Sequence, residues 1–167
     1  MIVEMISAIL VRDLKALRRE LEAYHDERHI WRIAPGITNS AGTLALHMTG
    51  NLRHFIGGQL GGTGYVRDRD AEFGRRDVPR ADLLKEVDEA ITAIEKTTAK
   101  LSDADLAKPY PLPIGGATLA TGDFLMHLAA HLTYHLGQLD YLRRFVTGDA
   151  GKIGALAPTE LSSAKKG

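Results

Sequence analysis

Apolar residues recur at three- and four-residue spacing through most of the chain and divide it into four helical segments. In the first, Ile6, Leu10, Leu14, Leu17, Leu21 and Tyr24 share one face, while Arg12, Lys15, Arg18, Arg19, Glu20 and Glu22 fall mainly around the other. This pattern predicts a helix over Ile2 to His29. Pro35-Gly36 closes the segment, since proline disfavours helical geometry in its predecessor and glycine permits a turn. Asn39 or Ser40 can cap a second helix over Thr43 to Leu60, frayed at its end where Gly57, Gly58, Gly61, Gly62 and Gly64 cluster. Tyr65 to Arg76 reads as a loop whose Arg67, Asp68, Arg69, Asp70 and Glu72 alternate in sign and can pair locally. Asp77 and Pro79 open a third helix, with Leu84, Val87, Ile91, Ile94 and Leu101 as its buried stripe. The run Lys108 to Pro113 cannot be helical, and with Ile114 to Leu119 it predicts a small hairpin or an extended crossing. A fourth helix over Gly122 to Val146, opened by Thr121 or Asp123, buries Phe124, Leu125, Leu128, Leu132, Leu136, Leu139 and Leu142 and stops at Gly148.

Four amphipathic helices with no convincing strand network predict an all-α four-helix bundle with a short irregular or hairpin segment before the last helix. The bundle domain covers residues 1–147, and residues 148–167, rich in Gly, Ala, Ser and Lys, read as a mobile C-terminal tail. A chain of 167 residues can bury enough surface to fold without disulfides or a structural metal.

Charge and composition narrow the function. Lys plus Arg and Asp plus Glu both number 21, so the net charge is zero, and there is no basic stripe to neutralise phosphates. Nucleic acid is therefore not an expected partner. The absence of cysteine removes disulfides, thiolate ligands and thiol nucleophiles, and it fits a reducing compartment. The apolar N-terminal run is soon broken by Arg12, Asp13 and Lys15, and no stretch approaches the roughly 18 apolar residues of a membrane span. The expectation is a cytoplasmic protein without membrane contact.

The histidines carry the candidate chemistry. His131 and His135 are four residues apart. On a helix that offset turns about 400° and rises about 6 Å, so both rings leave one face. Two ring nitrogens can then reach one ion at about 2.0–2.1 Å. Leu128, Leu132 and Leu139 surround the pair, and burying two unpaired imidazoles there is costly unless a metal satisfies them. The same spacing also arises by chance, as two partly exposed histidines bonded to neighbours. His47, within Leu44-Ala45-Leu46-His47-Met48, is the best third ligand, although a core histidine bonded to a carbonyl would look the same. His54 lies about 10 Å further along that helix and belongs to a pocket wall or to the residues just outside the ligands, with Asn51 between and able to line the same pocket. Arg53 and Tyr134 are further pocket candidates. His127 extends the pair to HxxxHxxxH and could replace either member, but the drift of about 40° per step makes it a flanking residue. His25 and His29 sit in a charged stretch and read as a solvated face.

These residues resemble a known family. Asn39-Ser40, the run Leu44-Ala-Leu-His47-Met-Thr-Gly-Asn-Leu-Arg53, and His131-Leu-Thr-Tyr-His135-Leu-Gly-Gln138 are together similar to the DinB/YfiT-like metalloenzymes. Arg67-Asp-Arg-Asp-Ala-Glu-Phe73 is similar to a segment of one branch. The resemblance covers about residues 5–147. It implies an up-and-down bundle, a homodimer, and a metal triad of one histidine on the second helix and two on the fourth. Position by position these are His47, His131 and His135. It also implies one divalent ion, zinc or nickel, and for some members thiol-dependent S-transfer or isomerisation.

Three functions follow for comparison. The leading one is a metal-dependent enzyme of S-transferase or hydrolase type, acting on a small molecule, with a low-molecular-weight thiol as a cosubstrate; no residue is assigned a catalytic role. The second is a non-catalytic, metal-stabilised stress or binding protein. The third, a ferritin-like di-iron protein, needs Glu-x-x-His on two helices, and only Glu22-Ala-Tyr-His25 matches. HExxH, G-x-S-x-G and a phosphate-binding glycine loop are absent.

Overall fold

Helix α1 spans Ile2–Glu22 in the computed structural model, which describes residues 1–154 and 156–165. Its predicted apolar face, Ile6 through Tyr24, is fully buried. The Asp103 carboxylate accepts from the backbone N–H groups of Ile2 and Val3, satisfying donors the helix cannot pair itself. The helix ends well before the expected His29. Asp26 accepts from the Arg28 backbone N–H at 3.0 Å and starts a separate 3-10 turn, Glu27–Trp31. A short side chain competing for backbone donors here overrides the helical pattern.

Helix α2 runs over Ala41–Leu52, capped by Ser40, whose hydroxyl accepts from the Thr43 N–H at 3.1 Å. Every residue in it is buried. From Arg53 to Gly58, within the stretch expected to fray toward Leu60, it widens into an ordered π turn. The wider turn packs against the next long helix, and a side chain at Gly57 would press on Ala93 at 3.0 Å. Within the expected loop lies a six-residue helix, α3 (Arg69–Gly74), capped by Asp68, which accepts from Ala71 N–H at 2.8 Å. It is too short to show an apolar period.

Helix α4 spans Arg80–Thr98. Its buried line is Leu83, Val87, Ala90 and Ile94, while Leu84, Ile91 and Leu101 are only partly buried. The predicted stripe was rotated because Ala90 and Thr97, small residues at the contact, carry little hydropathic signal. A 3-10 turn, Asp103–Ala107, leads into the expected hairpin, with bridges Pro109–Ala120 and Ile114–Ala117. Helix α5, Thr121–Thr147, stops at Gly148, which adopts φ +72°.

The chain is all-α, and the four long helices form a bundle. Helices α4 and α5 each pack against both α1 and α2, so α1 faces α2 across the bundle. Not all of the interior is apolar. Glu20, expected on the solvated face, is fully buried and paired with the equally buried Arg143 of α5. Its burial pushes the Glu20 carboxyl above its ordinary pKa. Arg143 also donates to the Gly151 carbonyl at 2.7 Å and pairs with Asp149 at 3.4 Å. Asp13, also buried, accepts from Arg12 and Thr133. Of the expected C-terminal tail, Ala155, Lys166 and Gly167 lie outside the described residues. Among those described, no helix is long and apolar enough to cross a membrane.

Candidate metal centre

Three histidines converge between α2 and α5. His47 projects from the middle of α2 and is 5% exposed. His131 and His135 lie one turn apart on α5, both half-buried. The His47 ring lies 5.3 Å from His131 and 5.2 Å from His135, centre to centre, and the latter two are 4.5 Å apart. One ligand atom from each lies within 4.8 Å of the others. Both helices are needed, since α2 supplies one ring and α5 the other two.

Outer contacts set which nitrogens are free. His47 Nδ1 lies 3.1 Å from Glu72 Oε2. Arg67 grips the same carboxylate through Nε at 2.6 Å and Nη2 at 2.7 Å. Burial pushes the Glu72 carboxyl up, but the bonds from Arg67 and His47 and the Arg67 charge outweigh it, leaving its pKa below the ordinary value. Ionised Glu72 can only accept, so His47 Nδ1 donates, and the neutral ring then carries its lone pair on Nε2. Gln138 does the same for His135, its Oε1 accepting from Nδ1 at 2.7 Å. The freed His135 Nε2 then faces His131 Nε2 at 3.0 Å. Two lone pairs cannot share that space, so either a proton on His131 Nε2 or a cation lies between them. A second proton on His131 is disfavoured, because burial, and then the charges of His135, His47, His127 and Arg67, push its pKa down to about 4. Burial likewise lowers His135. Lowered pKa values keep His131 and His135 neutral, the form in which histidine ligates metal.

Local sequence explains how Glu72 arrives there. Helix α3 delivers it against α2 at Gly50, where a Cβ would meet the Glu72 Cδ at 2.9 Å. Phe73 packs its ring 4.9 Å from His47. The expected pocket residues separate. Asn51 is buried one turn beyond His47, with Oδ1 unbonded among the described residues. His54 lies within the electrostatic reach of Arg67 and Glu72, and its pKa is lowered by burial first and by Arg67 second. Arg53 turns away to α4, pairing with Glu86 and with Glu89 at 2.8 Å and lying 4.1 Å over the Tyr65 ring. Tyr134 is 65% exposed, its ring 5.3 Å from that of His135. His127 stacks on Phe124 and on His131, each at 5.9 Å. His25 is exposed and His29 lies 3.1 Å from Arg32, both away from the cluster.

Arg67, Glu72 and the role of Gln138 escaped sequence reasoning. The alternating signs of residues 67–72 suggested only local pairing, and that pairing does occur between Arg67 and Glu72. Nothing in the spacing marks the histidine 25 positions earlier as their third member. The donor set fits a divalent cation: three converging imidazoles, two of them oriented by hydrogen-bonded outer partners.

The family described as "Protein of unknown function (DUF1572)" matches residues 3–158. No curated protein matches the chain. The crystal structure of a DinB-like protein from Bacillus cereus ATCC 10987 is similar, with 23% identity and a TM-score of 0.61, covering 80% of this chain and 85% of that one. At that identity the likeness speaks for the fold.

Proposed function

The chain belongs to the DUF1572 family, and from that premise we propose that it is a divalent-metal-binding protein whose ion, zinc or nickel, is held by His47, His131 and His135. The observation that carries this reading is the matched orientation of the rings. Glu72 and Gln138 each occupy an Nδ1–H, so the Nε2 lone pairs of His47 and His135 are left free for the same small space.

The activity we propose is metal-dependent S-transfer or hydrolysis on a small molecule. Three protein ligands leave a coordination position for a substrate or water, the arrangement of catalytic rather than closed structural sites. A divalent ion bound there supplies Lewis acidity, lowering the pKa of a bound water or thiol. The chain has no cysteine, so a reacting thiol comes from a cosubstrate. The protein's own residues contribute orientation. Arg67 holds Glu72, Glu72 holds the His47 tautomer, and Phe73 covers that ring. The second reading, a metal-stabilised protein without turnover, is favoured by one observation: the cluster ties wholly buried α2 to α5, where an ion would act as a staple.

Metal content of tag-free protein, measured by plasma mass spectrometry beside His47→Ala, His131→Ala and His135→Ala, tests the site. The expected result is one ion per parent chain and none in the variants. A parent that stays empty after incubation with zinc and nickel would overturn the proposal. On the loaded protein, a thiol-transfer and hydrolase screen separates the enzyme from the staple.

A further inference from the structure

Residues of the two helices that carry the histidines also line a cavity of about 540 Å³. Leu44 of α2, Gln138, Leu142 and Phe145 of α5, and Ile37 and Asn39 of the preceding loop line it. Leu44 lies three residues before His47, and Gln138 three after His135. On both helices the cavity therefore begins about one turn, roughly 5 Å, from the cluster. In helical projection Gln138, Leu142 and Phe145 fall within roughly 40° of His131, so cavity and cluster share one face of α5. Gln138 belongs to both, since it accepts from His135 Nδ1 and also lines the cavity.

The lining is informative in what it offers a ligand. It is mainly aliphatic and aromatic, and none of its residues is charged. Its volume falls in the range of small-molecule sites, roughly 300–1,000 Å³. A strongly charged cosubstrate body would leave its charges without partners there, at a desolvation cost.

We propose that this cavity binds the uncharged aryl or branched-alkyl body of the thiol cosubstrate, whose sulfhydryl head reaches the histidine cluster past Gln138. The position of the head rests on the metal-site reading above. The affinity for the body does not, because it comes from apolar burial at Leu44, Leu142 and Phe145.

Two thiols with the same head and different bodies test this. 2-Phenylethanethiol and 2-mercaptoethanol are titrated into cobalt-loaded protein, followed by the thiolate-to-cobalt charge-transfer band. The aryl thiol is expected to bind tighter by about tenfold or more, the gain from burying a phenyl ring. In the double variant Ile37→Asp/Phe145→Ala that advantage should fall below about threefold, while cobalt content and 2-mercaptoethanol affinity stay unchanged. Ile37 and Phe145 are 45% and 71% exposed, so the variant should fold, which circular dichroism checks. Equal affinity of the cobalt-loaded parent for both thiols would overturn the proposal.

A metal-independent readout separates the two readings. Saturation-transfer NMR with 2-phenylethanol on metal-free protein should show saturated aryl protons in the parent and not in the variant. That result supports the cavity even if cobalt never binds, in which case the metal reading alone fails. Absence of saturation in the parent overturns the proposal. If the parent then sediments as a dimer and the variant as a monomer, the cavity is an interface between copies instead.

Discussion

Glu72 shows how one carboxylate can matter to a site without touching what the site would hold. Its contacts run to Arg67 and to His47 Nδ1, and Gly50 leaves it room. We predict that Glu72→Gln weakens zinc binding by about 10- to 100-fold in a chelator-competition titration, the usual effect of losing an orienting outer partner. Unchanged affinity would show that His47 needs no such partner. Gln138→Leu should act similarly through His135. The three histidines were legible in the sequence because helical spacing relates His131 to His135 and burial marks His47. Glu72 was not, because it reaches His47 from a separate short helix, and no periodicity crosses such a gap.

At the scale of elements, the hydropathic period marks the helices well and their ends poorly. The apolar faces of α1 and α5 emerged from spacing alone. The early stop of α1 depends on Asp26 capturing a backbone donor, and the π turn after α2 depends on packing against α4. Neither is encoded in the hydropathic period. The start of α2 makes a sharper case. Gly42 lies under Trp31, where a Cβ would meet the indole Cζ2 at 2.6 Å. Trp31 is tied in place by its Nε1–H, which donates to the Val78 carbonyl at 3.3 Å. Gly42→Ala should therefore cost about 1–3 kcal/mol in urea denaturation, the usual penalty for overpacking. A wild-type midpoint would mean that the indole can slide aside.

The whole molecule is held by an interior that is not purely apolar. Arg143 and Glu20 are both fully buried, and they join α5 to α1 and to the chain just past Gly148. Arg143→Met strands the carboxylate and should cost about 3–5 kcal/mol by thermal or chemical unfolding. The double replacement Glu20→Leu/Arg143→Met should recover most of that loss, since apolar pairs of similar volume often match a buried ion pair. If the double variant is as unstable as the single, the pair is specifying the packing as well as neutralising itself. On the outer face of α5, Met126, Ala130, Tyr134 and Gly137 are exposed without an intervening charge. We propose this face as the seat of a second copy of the chain, in which case Ala130→Glu should convert a dimer into a monomer in sedimentation equilibrium.

The two halves of the histidine cluster stand far apart along the chain, His47 in α2 and His131 and His135 in α5, with α3, α4 and the hairpin between them. A growing polypeptide therefore cannot assemble the cluster until nearly all of the bundle has left the ribosome, which at about 5–20 residues per second means several seconds after His47 appears. On the proposed reading, ion capture would be a late event in the birth of the molecule, and an ion found in place would certify that α5 has docked.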